Sequence, residues 1–185
     1  MRQFTVDEYH RLINAGVIRE GERIELLEGW LVQRTPIQPP HAVAVGLTSD
    51  RIDHLLSSDW IIRVRQPITL SGSEPEPDVS VARGKDRDYL GHHPNRTTTG
   101  LVIEVADSTL DKDRTVMARI YARDNLPVYW IVNINDEQIE VYTDPTGDCD
   151  EPVYRNRRDY HRGEEVPLVL DGVEIARIPV ADLLP

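Results

Sequence analysis

The sequence predicts a single α/β domain in which a mixed β-sheet is flanked by a few helices. The chain has 185 residues, about the size of one domain. Short apolar β runs alternate with segments in which apolar residues recur at helical spacing. Neither an internal repeat nor a long linker divides the chain, so we expect one domain over residues 1–185.

The first part of the chain predicts a helix, a hairpin and a second helix. Thr5 and Glu8 have the spacing of a capping box, and apolar residues follow at helical spacing to about residue 15. The segment RIELLEGWLVQ contains two short apolar runs around Glu28-Gly29, the pattern of a β-hairpin. Pro40 suits the first turn of a second helix that continues to about Leu56.

The second part predicts strands and one further helix. We expect strands over 60–70, 78–83 and 101–106, and a hairpin formed by PVYWIVNI and QIEVYTD. The segment DKDRTVMARIYARDN predicts a third helix, because Val116 and Ile120 share one face and Asn125 suits its end. The last residues, up to VADLLP, predict more strands and turns.

Composition limits the classes of function. The formal net charge is −11, which argues against a general affinity for nucleic acid, so local basic clusters or metal ions would have to offset the repulsion. No apolar stretch approaches the roughly 20 residues that span a bilayer, and the N-terminus has no apolar signal segment. The single cysteine, Cys149, excludes an internal disulfide. These features predict a cytoplasmic protein without a membrane segment.

Three acids lie in or beside apolar β runs: Asp78 precedes VSVA, Glu104 lies within LVIEVA and Glu25 lies within IELL. Burying an ionised carboxylate is costly unless it is paired or binds a metal. If their strands are neighbours, Asp78 and Glu104 could share Mg²⁺ or Mn²⁺, which prefer oxygen ligands. The alternative is that Asp78 is a solvated turn residue, Glu104 an edge-strand acid facing water and Glu25 part of a solvent-exposed face.

The order of these blocks resembles the bacterial Uma-type family of putative restriction endonucleases, which is assigned to the PD-(D/E)XK nuclease superfamily. The match runs from about residue 4 to the C-terminus through TVDEYHRL, RIELLEGWLV, PPHAVAV, VRQPI, EPEPDVSVA, LVIEVADSTL and PVYWIVN. The resemblance implies a restriction-endonuclease-like core, one Mg²⁺ or Mn²⁺ site and DNA as the substrate. It would also make a homodimer natural, because two active sites cut two strands.

The resemblance also implies roles for single residues. Asp78 corresponds to the aspartate of the PD motif, Glu104 to the second metal ligand and Glu25 to an acid of the family's ELxxG hairpin. His41 and Gln66 match the PxxH-like and QxP positions, with less defined roles. As alternatives, His41 would be a surface residue at a helix N-terminus and Gln66 a hydrogen-bonded strand residue.

The chain departs from the superfamily at its lysine, which ordinarily stands two residues after the second acid, where this chain has Ala106. In the Uma-type pattern DRxxKxxxYA the lysine lies on the following helix, where this chain has Met117. At about 100° per residue, Arg114 shares the face of Met117, whereas Lys112 lies off that face near the helix start. We therefore expect Arg114 to stabilise an anionic transition state, with Lys112 as the alternative.

Two functions follow from this pattern. The first is a metal-dependent endonuclease that hydrolyses DNA phosphodiester bonds by metal-activated water. Its catalytic residues would be Glu25, Asp78, Glu104, Arg114 and Lys112, with Asp78 and Glu104 as ligands of Mg²⁺ or Mn²⁺. The alternative is a catalytically inactive nuclease-fold module that binds a protein or nucleic-acid partner, which the methionine at position 117 and the net negative charge favour.

Overall fold

The computed structural model describes residues 2–185, so Met1, which the predicted domain includes, lies outside the described residues. The N-terminal elements are α1 (Val6–Asn14), β1 (Ile24–Leu27), β2 (Trp30–Gln33) and α2 (Pro39–Asp53). The later strands are β3 (Trp60–Val64), β4 (Val79–Arg83), β5 (Thr99–Ala106), β6 (Val128–Asn133), β7 (Gln138–Pro145), β8 (Tyr154–His161), β9 (Glu165–Leu170) and β10 (Val173–Pro179). Helix α3 covers 110–123 and lies between β5 and β6.

A six-stranded mixed sheet with the order β3-β4-β5-β6-β7-β8 forms the centre of the structure. Only β5 and β6 pair in parallel, because α3 crosses over between them, and the other neighbours are antiparallel. Strands β1 and β2 form one separate hairpin, and β9 and β10 form another. The predicted fold class, one α/β unit with a mixed sheet and a few helices, is confirmed.

Local hydrogen bonds and backbone conformation explain where α1 begins and why β3 ends earlier than predicted. The hydroxyl of Thr5 accepts from the amide of Glu8, and the Glu8 carboxylate accepts from the amide of Thr5, so α1 begins with the predicted capping box. The predicted strand over 60–70 is too long. Strand β3 ends at Val64, because Arg65 adopts the left-handed region with φ of 52° and interrupts the extended backbone.

Strand β5 separates two apolar layers because its side chains alternate between the two faces of the sheet. Leu101, Ile103 and Val105 pack on one side with α2 and the β9–β10 hairpin. Val102 and Ala106 pack on the other side with α3. Glu104 alternates with the first set and therefore lies on the α3 side of the sheet.

Glu140 on β7 lies in the same row of the sheet as Glu104, because both are in register with Ile131 on β6. Its side chain is completely buried and accepts two hydrogen bonds from Arg114 of α3, at 3.0 and 2.5 Å. Burial opposes ionisation, but hydrogen bonds from Arg114, Asn133 and Tyr142 outweigh it and lower the pKa of Glu140 to about 2. This ion pair therefore fixes the first half of α3 to the sheet.

No helix within residues 2–185 is long and apolar enough to cross a membrane.

We predict that Glu140→Gln lowers the free energy of unfolding at pH 7 by about 3 kcal/mol, because it leaves Arg114 without its buried carboxylate. The folded pKa lies below the ordinary value of 4.5. The contribution is thus complete above pH 4.5 and is lost as the pH falls toward 2. Urea denaturation from pH 7 to pH 3 should show the difference between wild type and variant shrinking below pH 4.5.

The matched control is Glu137→Gln, since Glu137 is 59% exposed in its ion pair with Arg162. Its removal should cost less than about 1 kcal/mol. Equal effects of the two variants at pH 7, or a Glu140→Gln effect that does not change with pH, would contradict this account.

Candidate metal-binding and catalytic site

Four buried acids line one cavity at the end of the sheet where β1, β4, β5 and the start of α3 meet. They are Glu25, Asp78, Glu104 and Asp113, and their exposed fractions are 3%, 5%, 8% and 4%. The cavity also contains cationic and polar side chains: Arg23, Arg34, His41, Thr109 and Lys112. The solvated interpretations of Glu25, Asp78 and Glu104 are therefore wrong, and Glu104 lies on a central strand, not at an edge.

Asp78 and Glu104 lie side by side because β4 and β5 are antiparallel neighbours. The pairing of Val79 with Ile103 continues by one residue to place Asp78 opposite Glu104. The amide of Asp78 donates to Oε2 of Glu104 at 3.3 Å, and the amide of Val105 donates to Oδ2 of Asp78 at 3.0 Å. The backbone of two adjacent strands thus holds both carboxylates in place.

Negative charge accumulates around Glu104. Burial raises the pKa of Glu104 well above its ordinary value, and the nearby carboxylates of Asp78 and Asp113 raise it further. The hydroxyl of Tyr121 donates to Oε1 of Glu104 at 2.6 Å and partly offsets this effect. Burial also raises the pKa of Asp113 to about 7, although a hydrogen bond from Thr109 opposes the shift. The cluster would therefore be stabilised by an added cation.

Glu25 joins the site from the β1–β2 hairpin. Its Oε1 accepts from the ammonium of Lys112 at 3.0 Å, and its Oε2 accepts from the amide of Glu76 at 3.3 Å. Strand β1 alternates its side chains, so Leu26 packs under α1 while Glu25 points into the cavity. Glu25 and Lys112 thus form an ion pair beside Asp78 and Glu104.

The structure reverses the expected positions of Arg114 and Lys112. Residues Asp113–Met117 form a π-helical turn, in which the amide of Ala118 donates to the carbonyl of Asp113, five residues earlier. Residues five apart are therefore closer to one face than in a regular α-helix, and both Lys112 and Met117 line the cavity. Arg114 turns toward the sheet and binds Glu140. The expectation that Arg114 faces the acids is wrong.

His41 contacts Asp78 directly. Its Nδ1 lies 3.1 Å from a guanidinium nitrogen of Arg65, which can only donate. Its Nε2 lies 3.0 Å from Oδ2 of Asp78. His41 is not a free surface residue. Gln66 is exposed and does not line the cavity.

Sequence reasoning missed three side chains of the site: Arg34, Asp113 and Tyr121. Arg34 donates to Oε2 of Glu76 at 2.7 Å, and its pKa is raised because Glu25, Glu104 and other acids outweigh the opposing effect of burial. Arg34 directly follows a strand and had no pattern to distinguish it from a loop arginine. Asp113 and Tyr121 lie in the DRxxKxxxYA segment, whose π-turn has no sequence signature in a single chain.

The donor set suits a hard divalent cation. Within residues 2–185, no group of three or more His, Cys, Asp or Glu side chains is arranged to hold a metal ion. Mg²⁺ commonly uses only one or two carboxylates and completes its shell with water and substrate phosphate. Asp78 and Glu104, which the pairing of β4 with β5 places opposite each other, provide two carboxylates for this type of site, whereas a structural zinc site would need four ligands.

Comparison with known proteins identifies the family. The family model of Uma2, described as a putative restriction endonuclease, matches residues 6–180. A similar solved structure is described as a putative nuclease belonging to DUF820 from Anabaena variabilis. It has a TM-score of 0.71 and 14% identity, with 97% of each chain covered, a level that shows the common fold. No curated protein matches. Because the family model covers nearly all of the sequence, the chain belongs to the Uma2 family of putative restriction endonucleases.

Proposed function

We propose that this protein is a metal-dependent endonuclease that hydrolyses DNA phosphodiester bonds. Membership of the Uma2 family supports nuclease function in general. The observation that carries the finer proposal is the buried pair of Asp78 and Glu104, which the backbone holds side by side in a cavity that also contains Lys112.

Asp78 and Glu104 would hold Mg²⁺ or Mn²⁺. When bound there, a divalent ion would lower the pKa of a water molecule and neutralise charge on a phosphoryl oxygen. The raised pKa of Glu104 supports this assignment, because it reflects burial and neighbouring carboxylates that a cation would compensate. His41, whose Nε2 lies 3.0 Å from Oδ2 of Asp78, would help to hold that carboxylate in place.

Lys112 would supply the fixed positive charge of the reaction. Its ammonium has three donors and pairs with only one oxygen of Glu25, so it can also bind a phosphoryl oxygen on which negative charge develops. Glu25 would position this ammonium. Lys112 would thus act in place of Arg114, whose guanidinium binds Glu140.

These contacts favour an enzyme over a catalytically inactive binding module. The methionine at position 117 removes the lysine of the family pattern, but Lys112 brings an ammonium into the same cavity. Burying these acids lowers the stability of the fold, a cost that a purely structural module would not need. We also propose that the enzyme acts in the cytoplasm, and as a homodimer if it cuts both strands.

We predict that Asp78→Asn abolishes Mg²⁺- or Mn²⁺-dependent nicking of supercoiled plasmid DNA, with a rate loss of about 100-fold or more. The fold should persist, because the change removes a charge that repels Glu104. Agarose-gel kinetics measure the nicking rate, and thermal denaturation measures folding.

Asp171→Asn is the control, since Asp171 lies at the exposed turn between β9 and β10. It should leave nicking unchanged. The proposal fails if the wild-type protein nicks no DNA with either ion, or if Asp78→Asn nicks at the wild-type rate.

We predict different effects of Lys112→Gln and Arg114→Gln on the nicking rate. Lys112→Gln should reduce the rate about 100-fold at temperatures below its melting temperature, because an amide can still donate to Glu25 but carries no charge. Arg114→Gln should lower the melting temperature and leave the rate nearly unchanged below that temperature, since Arg114 binds Glu140. A rate loss confined to Arg114→Gln would contradict the assignment of Lys112.

A further inference from the structure

Two arginines face each other at the open end of the β1–β2 hairpin. The amide of Arg34 donates to the carbonyl of Arg23 at 2.8 Å, which continues the register that pairs Ile24 with Gln33. Residues opposite each other in an antiparallel pair project from the same face. Alternation along β1 places Arg23 on the face of Glu25, and both arginines line the acidic cavity.

The two arginines differ in how their charge is compensated. Arg34 pairs with Glu76 at 2.7 Å and lies 3.9 Å from Asp78. Arg23 is exposed and has no carboxylate within ion-pair distance in the described part of the chain. The hairpin end therefore presents a guanidinium that is available to an anion.

A third arginine lies beside the site. Arg65 lies 3.4 Å from Oδ1 of Asp78 and 3.1 Å from Nδ1 of His41. It adds a third guanidinium group near the two of the hairpin end.

We infer that Arg23 and Arg34 bind the phosphate oxygens of a nucleic-acid strand at the mouth of the cavity. A guanidinium matches the geometry of a phosphodiester and binds it with two parallel hydrogen bonds. The inference rests on the proposed function, because it concerns the same site. It also supplies the local basic cluster that a chain with a net charge of −11 needs to approach DNA.

The test measures binding of a fluorescein-labelled 12-nucleotide single-stranded DNA by fluorescence anisotropy at several salt concentrations. EDTA is present, so metal-dependent cleavage does not affect the result. Arg23→Gln and Arg34→Gln should each raise Kd roughly tenfold. Each should also reduce the slope of log K against log salt by about 0.7, the value for one phosphate contact on a single strand. A variant that merely perturbed local packing would not change this slope.

Arg177→Gln is the matched control. Arg177 lies on β10, in the hairpin that packs on the opposite side of the sheet, and pairs with Glu174 at the surface. Arg177→Gln removes one positive charge, as the two test variants do, and should leave Kd and the salt slope unchanged. Arg23→Gln keeps the test valid if Arg34→Gln does not fold, because Arg23 is exposed.

Three results would overturn the inference. The first is a wild-type protein that does not bind the strand at low salt. The second is a Kd and salt slope that Arg23→Gln leaves unchanged. The third is equal competition by AMP at the same phosphate concentration, which would assign Arg23 and Arg34 to free phosphate monoesters. Loss of plasmid nicking with intact, arginine-dependent binding would instead reject only the nuclease proposal.

Discussion

The pairing of β4 with β5 is the constraint on which the site depends. This register places Asp78 opposite Glu104, and backbone amides hold one oxygen of each carboxylate. Two acids at this depth repel each other, and burial deprives them of water, so the pKa of Glu104 is raised. The surrounding cations, among them Arg34 and Lys112, compensate part of this charge. The site therefore combines a rigid backbone frame with incomplete charge compensation.

Glu140 lies on the same face of the sheet as Glu104, but its negative charge is compensated. Glu140 is as deeply buried as Glu104, but Arg114 and neighbouring polar side chains saturate it, and its pKa is lowered. Helix α3 supplies a cation to each region, because its π-turn directs Arg114 to Glu140 and Lys112 to the cavity. Glu140 thus belongs to an ion pair that holds the helix in place, whereas the negative charge around Glu104 is only partly compensated.

Sequence reasoning predicted the fold class, the capping box of α1 and the three acids in apolar β runs, because these features are expressed in local patterns. It failed where tertiary geometry overrides the regular helical period, as at the π-turn that exchanges the expected positions of Lys112 and Arg114. It also ended one strand too late, since the left-handed backbone of Arg65 is unusual for a residue with a side chain. The facing pair of Arg23 and Arg34 depends on hairpin register, which a single sequence defines poorly.

The central claim is that Asp78 and Glu104 share one divalent ion. Anomalous diffraction from a crystal soaked in Mn²⁺ tests it most directly, because manganese scatters anomalously and water does not. The account predicts a single strong anomalous peak in the cavity, in direct contact with a carboxylate oxygen of Asp78 and one of Glu104. An empty cavity at saturating Mn²⁺, or a peak that contacts neither carboxylate, would contradict it.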